Sequence, residues 1–348
     1  MIQHNRAPAN SVSADPAKTY GVAFVGSGSA KLEAVLSNAQ LAEMVDTSDE
    51  WIATRTGIRQ RHIAGPTDSI RSLGAEAAAI AIAQAGLNPI DIDLILLATS
   101  TPDDLFGSAC QIQHELGASH AVAFDITAAC SGFVFALVTA AQFIRTGAYQ
   151  NVVVVGADLL SRLTDWHDRR TCVLFGDGAG ALVMQRCEGS ADHLLSFDLH
   201  SDGSLNDCLN AAYERESVPL TGDITVQKGR FQPVTMNGRE VYRFAVKRVP
   251  EVLEKALFYA GLSTHDIDWL ILHQANQRIL DAAAQRLNIP AERVVSNMAK
   301  HGNTDAASIP IALDEWVQSG KIKTGDTLAL SGFGAGLSWG AAILTWGK

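Results

Sequence analysis

Three side chains in this sequence have the types and settings that nucleophilic and hydrogen-bonding chemistry needs. Cys130 follows the strand-like residues 121–126 and opens Cys130-Ser131-Gly132-Phe133-Val134-Phe135-Ala136-Leu137, a segment apolar on every side that runs on to Arg145 and Gly147. This pattern predicts a buried helix with a cysteine in its first turn. Free N–H groups and the positive end of the helix dipole favour thiolate there, so the thiol pKa is expected to be lowered and the sulfur nucleophilic. Position alone fits an inert core cysteine better. His273 closes the predicted strand 269–272, just ahead of Gln274-Ala275-Asn276-Gln277-Arg278-Ile279-Leu280, which reads as a helix. Open α/β sheets place their sites at such carboxyl ends, although a helix-capping role suits the same histidine equally well. Asn303 lies in His301-Gly302-Asn303-Thr304-Asp305-Ala306-Ala307-Ser308, a context that by itself suits a turn or an N-cap.

An internal repeat supplies the elements that could bring such distant residues together. Ala85-Gly86-Leu87, Asp91-Ile92-Asp93 and the apolar run 94–98 recur as Ala260-Gly261-Leu262, Asp266-Ile267-Asp268 and 269–272, an offset of 175 residues from Ala85 to Ala260. The same offset carries the run 152–155 onto 327–330, shortly before Gly332-Phe333-Gly334-Ala335-Gly336. It also brings the Asn303 segment within a few residues of Cys130. Two halves related by a pseudo-twofold would therefore set the Cys130 helix start opposite Asn303. Residues 75–85, ended by Gly86, and 252–260, ended by Gly261, read as matching helices. The runs 94–98, 122–124, 152–155, 269–272 and 327–330 read as buried strands of sheets covered on both faces. This alternation predicts an α/β fold of two similar halves, 21–190 and 191–348, after a loose tail 1–20. Residues 200–236, rich in Asp, Gly, Asn and Ser with weak periodicity, are expected to form an irregular functional flap.

Composition narrows the chemistry. The 348 residues carry 37 acidic against 27 basic side chains, a net charge of −10 with no Lys/Arg block, which argues against nucleic acid as a partner. Hydrophobic residues make up 47% and charged residues only 18%, so a large interior is expected and disorder is excluded. No apolar run approaches the roughly 18 residues of a spanning helix, and the first residues lack a signal peptide's apolar block, so no membrane partner and a cytoplasmic location are expected. The five cysteines are odd in number and form no C-x-x-C pair, which speaks against a disulfide framework or a zinc site. Most of them are expected to be buried small apolar residues. Gly176-Asp177-Gly178-Ala179-Gly180 lacks the Lys-Ser/Thr of a phosphate loop and is expected to be a tight turn near the site.

From about residue 21 to Lys348 the chain resembles the β-ketoacyl-acyl carrier protein synthases III of the thiolase fold. The resemblance rests on six motifs in order: Asp49-Glu50-Trp51-Ile52 with Arg55-Thr56-Gly57-Ile58, Ala128-Ala129-Cys130-Ser131-Gly132-Phe133, Phe175-Gly176-Asp177-Gly178-Ala179-Gly180, His273-Gln274-Ala275-Asn276, His301-Gly302-Asn303-Thr304, and the glycine-rich loop near the end. It implies a thiolase-like fold, a duplicated α-β-α-β-α architecture of five layers. It implies a Cys130, His273, Asn303 site in which Cys130 accepts an acetyl group from acetyl-CoA. Malonyl-acyl carrier protein then loses CO₂, and its enolate is stabilised by His273 and Asn303 before attacking the acetyl carbonyl to give acetoacetyl-acyl carrier protein. The backbone N–H groups of Cys130 and Ala335 would form the oxyanion hole for the acyl-enzyme. Family members often have glycine at the latter position, so the loop must avoid positive φ at Ala335.

The resemblance also implies CoA contacts at Thr47, Trp51, Arg55, Arg169 and Asn276, with Trp51 and Arg169 sandwiching the adenine and Asn276 meeting the pantetheine arm. Phe106 would close the acyl pocket across a homodimer interface. CoA thioesters would serve as substrates, with no cofactor and no metal. Arg239, Arg243 and Lys247 fall at i, i+4 and i+8 of a predicted helix, a basic stripe on an acidic protein that is otherwise an ordinary solvated face. The resemblance makes Arg243 and Arg278 docking positions for the acidic carrier protein, and Lys247 joins them through the stripe.

Rival classes fit less well. Papain-like proteases also use Cys, His and Asn, but their C-G-[SA]-C-[WY] signature is absent around Cys130. Elongating synthases carry a second histidine where Asn303 stands, and thiolases require a second catalytic cysteine in a matching motif. A degenerate scaffold loses because all three site residues are present. A related thiolase-fold condensing enzyme of polyketide or secondary metabolism, using another acyl-CoA primer, remains the alternative.

Overall fold

The computed structural model describes residues 20–347; the expected tail 1–20 lies almost wholly outside the described residues. Two sheets organise the chain. The first has the strand order Tyr20–Ser29, Asp177–Glu188, Asn151–Leu159, Leu94–Ala98, Val122–Ile126. In the second the order is Leu194–Ser201, Ser338–Thr345, Thr327–Gly334, Trp269–Leu272. Read in these orders, each sheet begins with two antiparallel pairings and continues with a parallel one. Even the last pairing of the first sheet, Leu94–Ala98 with Val122–Ile126, has a vestige in the second, a parallel bridge between Leu270 and Val294. The repeat in the sequence is thus a repeat of topology.

The layers follow from where each apolar face finds cover. Helices Gly132–Arg145 and Ser308–Gln318 lie between the sheets in one shared core, where Phe133, Leu137, Ile309 and Leu313 meet Leu94 and Val154 from one sheet and Leu328 and Leu344 from the other. Helices Ile70–Gln84 and Ala109–Leu116 cover the outer face of the first sheet. Gly238–Ala260 and Gln277–Leu287 cover the outer face of the second. The result is the expected α-β-α-β-α stack of five layers, in which sheets clothed on both faces favour continuous apolar strands such as the wholly buried Leu94–Ala98.

Several expectations need correction. The strand Val122–Ile126 is the edge of its sheet, with Val122 and Phe124 exposed rather than buried. Residues 200–236 are not irregular: strands Tyr213–Thr221 and Ile224–Phe231 form a hairpin around Gly222 and Asp223. Nearly all of its residues are exposed on both faces, so no apolar alternation marks it in the sequence. Gly178 and Gly180 belong to a buried strand, not a tight turn. A Cβ on Gly180 would lie 2.8 Å from the Ile311 nitrogen, so glycine here lets the Ser308–Gln318 helix approach the sheet backbone. Of the five cysteines only Cys130 and Cys172 are buried, while Cys110 is exposed.

The same close approach recurs at Gly156, where an added Cβ would meet the Ala306 carbonyl oxygen at 2.4 Å. Its φ is not positive, so the objection to a side chain is purely steric. Gly156→Ala should therefore cost about 1–3 kcal/mol of stability, the usual penalty of overpacking, read as a lower melting temperature. An unchanged melting temperature would mean that the central helix start is not held at this spacing.

Candidate active site

Cys130 sits in a short turn, Ala129–Ser131, that feeds the helix Gly132–Arg145. The second half builds the same device 176 residues later as the turn Asp305–Ala307 feeding the helix Ser308–Gln318. Both turns begin with a residue in the left-handed region, Ala129 at φ 46° and Asp305 at φ 52°. The turns pack against each other, as the pseudo-twofold required. Each backs onto a glycine of the other half's sheet: Gly156 against the Ala306 carbonyl and Gly332 against the Cys130 carbonyl.

The symmetry breaks two residues along each strand. Asp158 Oδ2 accepts the Ala306 N–H at 3.2 Å. The counterpart of Asp158 is Gly334, and a Cβ built on it would lie 2.5 Å from the Cys130 nitrogen. A bare Cα therefore faces the Cys130 N–H where a carboxylate caps its twin, which leaves that donor available beside the sulfur. Ala335, the next residue, also lines the cavity, and its φ is not positive, as a non-glycine residue there requires.

The three residues singled out in the sequence converge on one cavity of about 330 Å³. His273 closes its strand as expected, is 1% exposed, and packs its ring edge against Phe333 at 5.5 Å. Its Nδ1 lies 2.7 Å from Ser308 Oγ, which also accepts the Gln274 N–H. Among the described residues the Ser308 hydroxyl has no other acceptor, so it donates to Nδ1 and the ring carries its proton on Nε2. Asn303 is held by its backbone, donating to the Leu174 carbonyl and accepting from the Gly176 N–H. Its Oδ1 accepts the Asp305 N–H at 3.0 Å, and because that partner can only donate, the amide orientation is settled with Nδ2 free. Two side-chain N–H donors thus share the cavity with one thiol.

Electrostatics depart from the sequence-based expectation at Cys130. Burial, reinforced by Asp305 and Asp158, pushes the thiol well above its ordinary range and overrides the helix dipole. Sequence reasoning missed Asp305 altogether. A charged residue within the small and apolar Thr304-Asp305-Ala306-Ala307, at the position matching Ala129, was the available signal.

Around the mouth, Trp51, Arg55, Arg169, Asn276 and Arg278 line the cavity. Arg55 lies over the Trp51 ring at 4.5 Å and Arg169 at 5.5 Å, the latter also held by the Asp46 carbonyl. Asn276 caps its helix by accepting the Arg278 N–H. Thr47 does not line the cavity, although its Oγ1 is buried without a partner. Phe106 is 97% exposed and does not reach this chain's own cavity. Arg243 and Lys247 are exposed on the helix Gly238–Ala260 outside the cavity, with Arg243 paired to Glu240. Leu209, Val234 and Met236, from the ends of the 200–236 segment, do line the cavity, so that segment covers the site as a flap would.

Burial holds the His273 pKa at about 3. Unfolded, the ring titrates near 6.5, so between these values the unfolded chain binds a proton that the folded one refuses, and His273 makes stability fall as pH falls. Asp158 and Asp305, pushed up by burial, act in the opposite sense. His273→Asn should therefore lose less stability than wild type between pH 7 and pH 4.5, read as a smaller fall in melting temperature, with the free-energy difference approaching about 1.4 kcal/mol per pH unit. Equal losses would mean that the folded protein protonates His273 freely.

Comparison with known proteins gives the family. Models of the 3-oxoacyl-[acyl-carrier-protein] synthase III family match residues 124–203 and, for its C-terminal part, 257–346. The chain is 67% identical to the β-ketoacyl-[acyl-carrier-protein] synthase III of Acaryochloris marina, over 94% of this chain and 98% of that protein. Among solved structures, the 3-oxoacyl-[acyl-carrier-protein] synthase III of Aquifex aeolicus is 44% identical with a TM-score of 0.86, covering 94% of this chain and all of that one. The priming β-ketosynthase of the R1128 polyketide pathway is 33% identical with a TM-score of 0.87, covering 99% of both chains. By its identity to the Acaryochloris marina protein over nearly its whole length, the chain belongs to the β-ketoacyl-acyl carrier protein synthase III family.

Proposed function

We propose that this chain starts fatty acid synthesis by condensing acetyl-CoA with malonyl-acyl carrier protein. The observation that carries the reading is the meeting of the Cys130 thiol, the Cys130 N–H, His273 Nε2 and Asn303 Nδ2 around one cavity. Cys130 takes the acyl group, splitting one difficult transfer into two easier ones. The N–H groups of Cys130 and Ala335 hold the thioester oxygen as it becomes an oxyanion. After CoA leaves, the malonyl thioester enters, and its carbonyl oxygen lies between His273 Nε2–H and Asn303 Nδ2–H. Loss of CO₂ places negative charge on that oxygen, and two donors already fixed by Ser308 and Asp305 need no reorganisation to meet it. The neutral histidine is suited to this because it donates a proton without competing for one.

Trp51 with Arg55 and Arg169 offers the adenine a stacking platform and Asn276 turns its Nδ2 to the pantetheine arm, while Thr47 stands outside the cavity lining. The protein works as a homodimer: Leu105 and Phe106 are 83% and 97% exposed beside the exposed edge strand Val122–Ile126, so a second copy covers them and receives Phe106 in its acyl pocket. Likeness to the R1128 priming enzyme supports a second reading, a secondary pathway with a different primer. Intact-protein mass after mixing with a panel of acyl-CoAs separates the two.

Cys130→Ala should give no acetylated protein with acetyl-CoA, and retention of the adduct would rule out this nucleophile. In single-turnover experiments His273→Ala and Asn303→Ala should slow condensation by roughly 10² or more while acetylation of Cys130 changes far less. Equal loss in both steps would give one of them a role in acylation. Charge reversal at Arg243, Lys247 or Arg278 should raise KM for malonyl-acyl carrier protein and flatten its salt dependence, with acetyl-CoA and malonyl-CoA kinetics nearly unchanged. Equal weakening for the free CoA substrates would assign these cations to the nucleotide site or to stability instead.

A further inference from the structure

Beside the nucleophile sits a carboxyl that the chemistry above leaves unused. Asp305 opens the turn facing the Cys130 turn, is 3% exposed, and is the one carboxylic side chain among the described residues lining the cavity. Its backbone is pinned at φ 52° by donation to Asn303 Oδ1. Among the described residues its buried Oδ1 makes no hydrogen bond of good geometry, and the side-chain groups that approach the carboxyl are the Cys130 thiol and Ser100. A buried carboxylate oxygen without a full partner is costly, and here the group best placed to share a proton with it is the Cys130 thiol.

Among the described residues lining the cavity, the thiol has no other base. His273 Nδ1 accepts from Ser308 and Nε2 carries the ring proton, so neither nitrogen has a free lone pair. Asn303 presents Nδ2, a donor, and the arginines of the mouth are cations. Yet burial and the neighbouring carboxyls keep Cys130 a neutral thiol, whose proton must leave as sulfur attacks.

We propose that Asp305 exchanges this proton with Cys130 during turnover. The step rests on the reading of Cys130 as the acyl carrier. As the Cys130 sulfur–acyl bond forms, the S–H bond breaks and its proton passes to the Asp305 carboxylate. The C–S bond to CoA breaks, and the departing thiolate is protonated by solvent. Asp305 keeps its proton throughout the acyl-enzyme. When the enolate carbon attacks the acyl carbonyl, the electrons of the Cys130 C–S bond return to sulfur and Asp305 gives the proton back. One solvent proton is consumed per cycle, balancing the malonyl carboxylate lost as neutral CO₂.

The surroundings of Asp305 favour such uptake. Asp158, on the strand behind, accepts from Ser100 N at 2.7 Å and Ala306 N at 3.2 Å as well as from Thr99 and Thr101. Burial lifts both carboxyls above their ordinary range, with repulsion from Asp305 adding to it at Asp158, so the pair gains by taking a proton. Asp177 on the next strand turns away to Ala64 and Ser161, and His273 is neutral.

The test is proton uptake when stoichiometric acetyl-CoA acylates the full-length enzyme in weak buffer at pH 7, followed with a pH indicator. Wild type should take up close to one proton per Cys130 acetylated, because the thiol proton stays on Asp305. Uptake near zero, with the acetyl adduct seen by mass in the same sample, would mean that the thiol proton leaves with CoA and would overturn the proposal. Absence of the adduct would instead sink the acyl-carrier reading on which it rests. Asp305→Asn should take up no proton and acylate at least roughly 10²-fold more slowly at pH 7, recovering as pH rises and hydroxide supplies the thiolate. A wild-type rate in Asp305→Asn, or an equal loss at every pH, would also overturn it. A resting thiolate would also take up one proton, so the same wild-type sample is read for thiolate absorbance in the ultraviolet before acetyl-CoA is added, and thiolate at pH 7 would overturn the proposal even where that variant folds poorly.

Discussion

Everything at the site depends on two turns packed against each other, each pressed onto the backbone of the opposite sheet. A Cβ at Gly156 would lie 2.4 Å from the Ala306 carbonyl oxygen, and one at Gly332 would lie 3.0 Å from the Cys130 carbonyl oxygen. The first is closer than a real Cβ comes, and the second would force its neighbour to give way, so both positions favour glycine. They fix the starts of both central helices against both sheets, so Cys130 and Asn303 cannot drift apart without opening the shared core. Catalytic groups held in this way sit on rigid elements, as preorganised donors must.

The duplication supplies a frame, and departures from it supply chemistry. The same turn is built twice, with a left-handed residue, a buried residue and a helix start. In one copy the buried residue is Ala306, whose N–H is capped by Asp158; in the other it is Cys130, whose N–H faces the bare Cα of Gly334. The left-handed residue is Ala129 in one copy and Asp305 in the other. One half therefore offers a sulfur and an open donor, and the opposing half offers a carboxyl and the Asn303 amide. A symmetric pair of turns would carry either two capped donors or two exposed ones, and in neither case a nucleophile beside a proton acceptor.

How much of this the sequence revealed depended on whether a feature had a local signature. The repeat did: Ala85-Gly86-Leu87 and Ala260-Gly261-Leu262 both mark helix ends, with Gly86 and Gly261 each at φ 70°. Strands Leu94–Ala98 and Trp269–Leu272 were legible to the residue because sheets covered on both faces demand unbroken apolar runs. Cys130, His273 and Asn303 were legible through their motifs and their relation under the repeat. The Tyr213–Thr221 and Ile224–Phe231 hairpin was not, since strands exposed on both faces show no alternation. Nor was the edge position of Val122–Ile126, which depends on which strands pair and not on their own residues. The direction of the Cys130 shift was misread because helix position is local information, whereas burial and the approach of Asp158 and Asp305 are properties of the assembled core.

The arrangement of charge from mouth to floor follows from the same burial. Near the mouth, Arg55 and Arg278 lie against Trp51 and Tyr242 and have no carboxylate partner among the described residues, so they remain open to an anion. At the floor, His273 is neutral, Cys130 is a thiol and the acidic pair resists full ionisation. On the proposed reading, a substrate with an anionic nucleotide end and a neutral thioester end matches this gradient: its phosphates stay where water and guanidinium groups solvate them, and only the uncharged end enters the dry interior. Negative charge on the thioester oxygen then arises only as bonds change, beside N–H groups whose strength is undiminished by solvent, and this favours the transition state over the bound substrate.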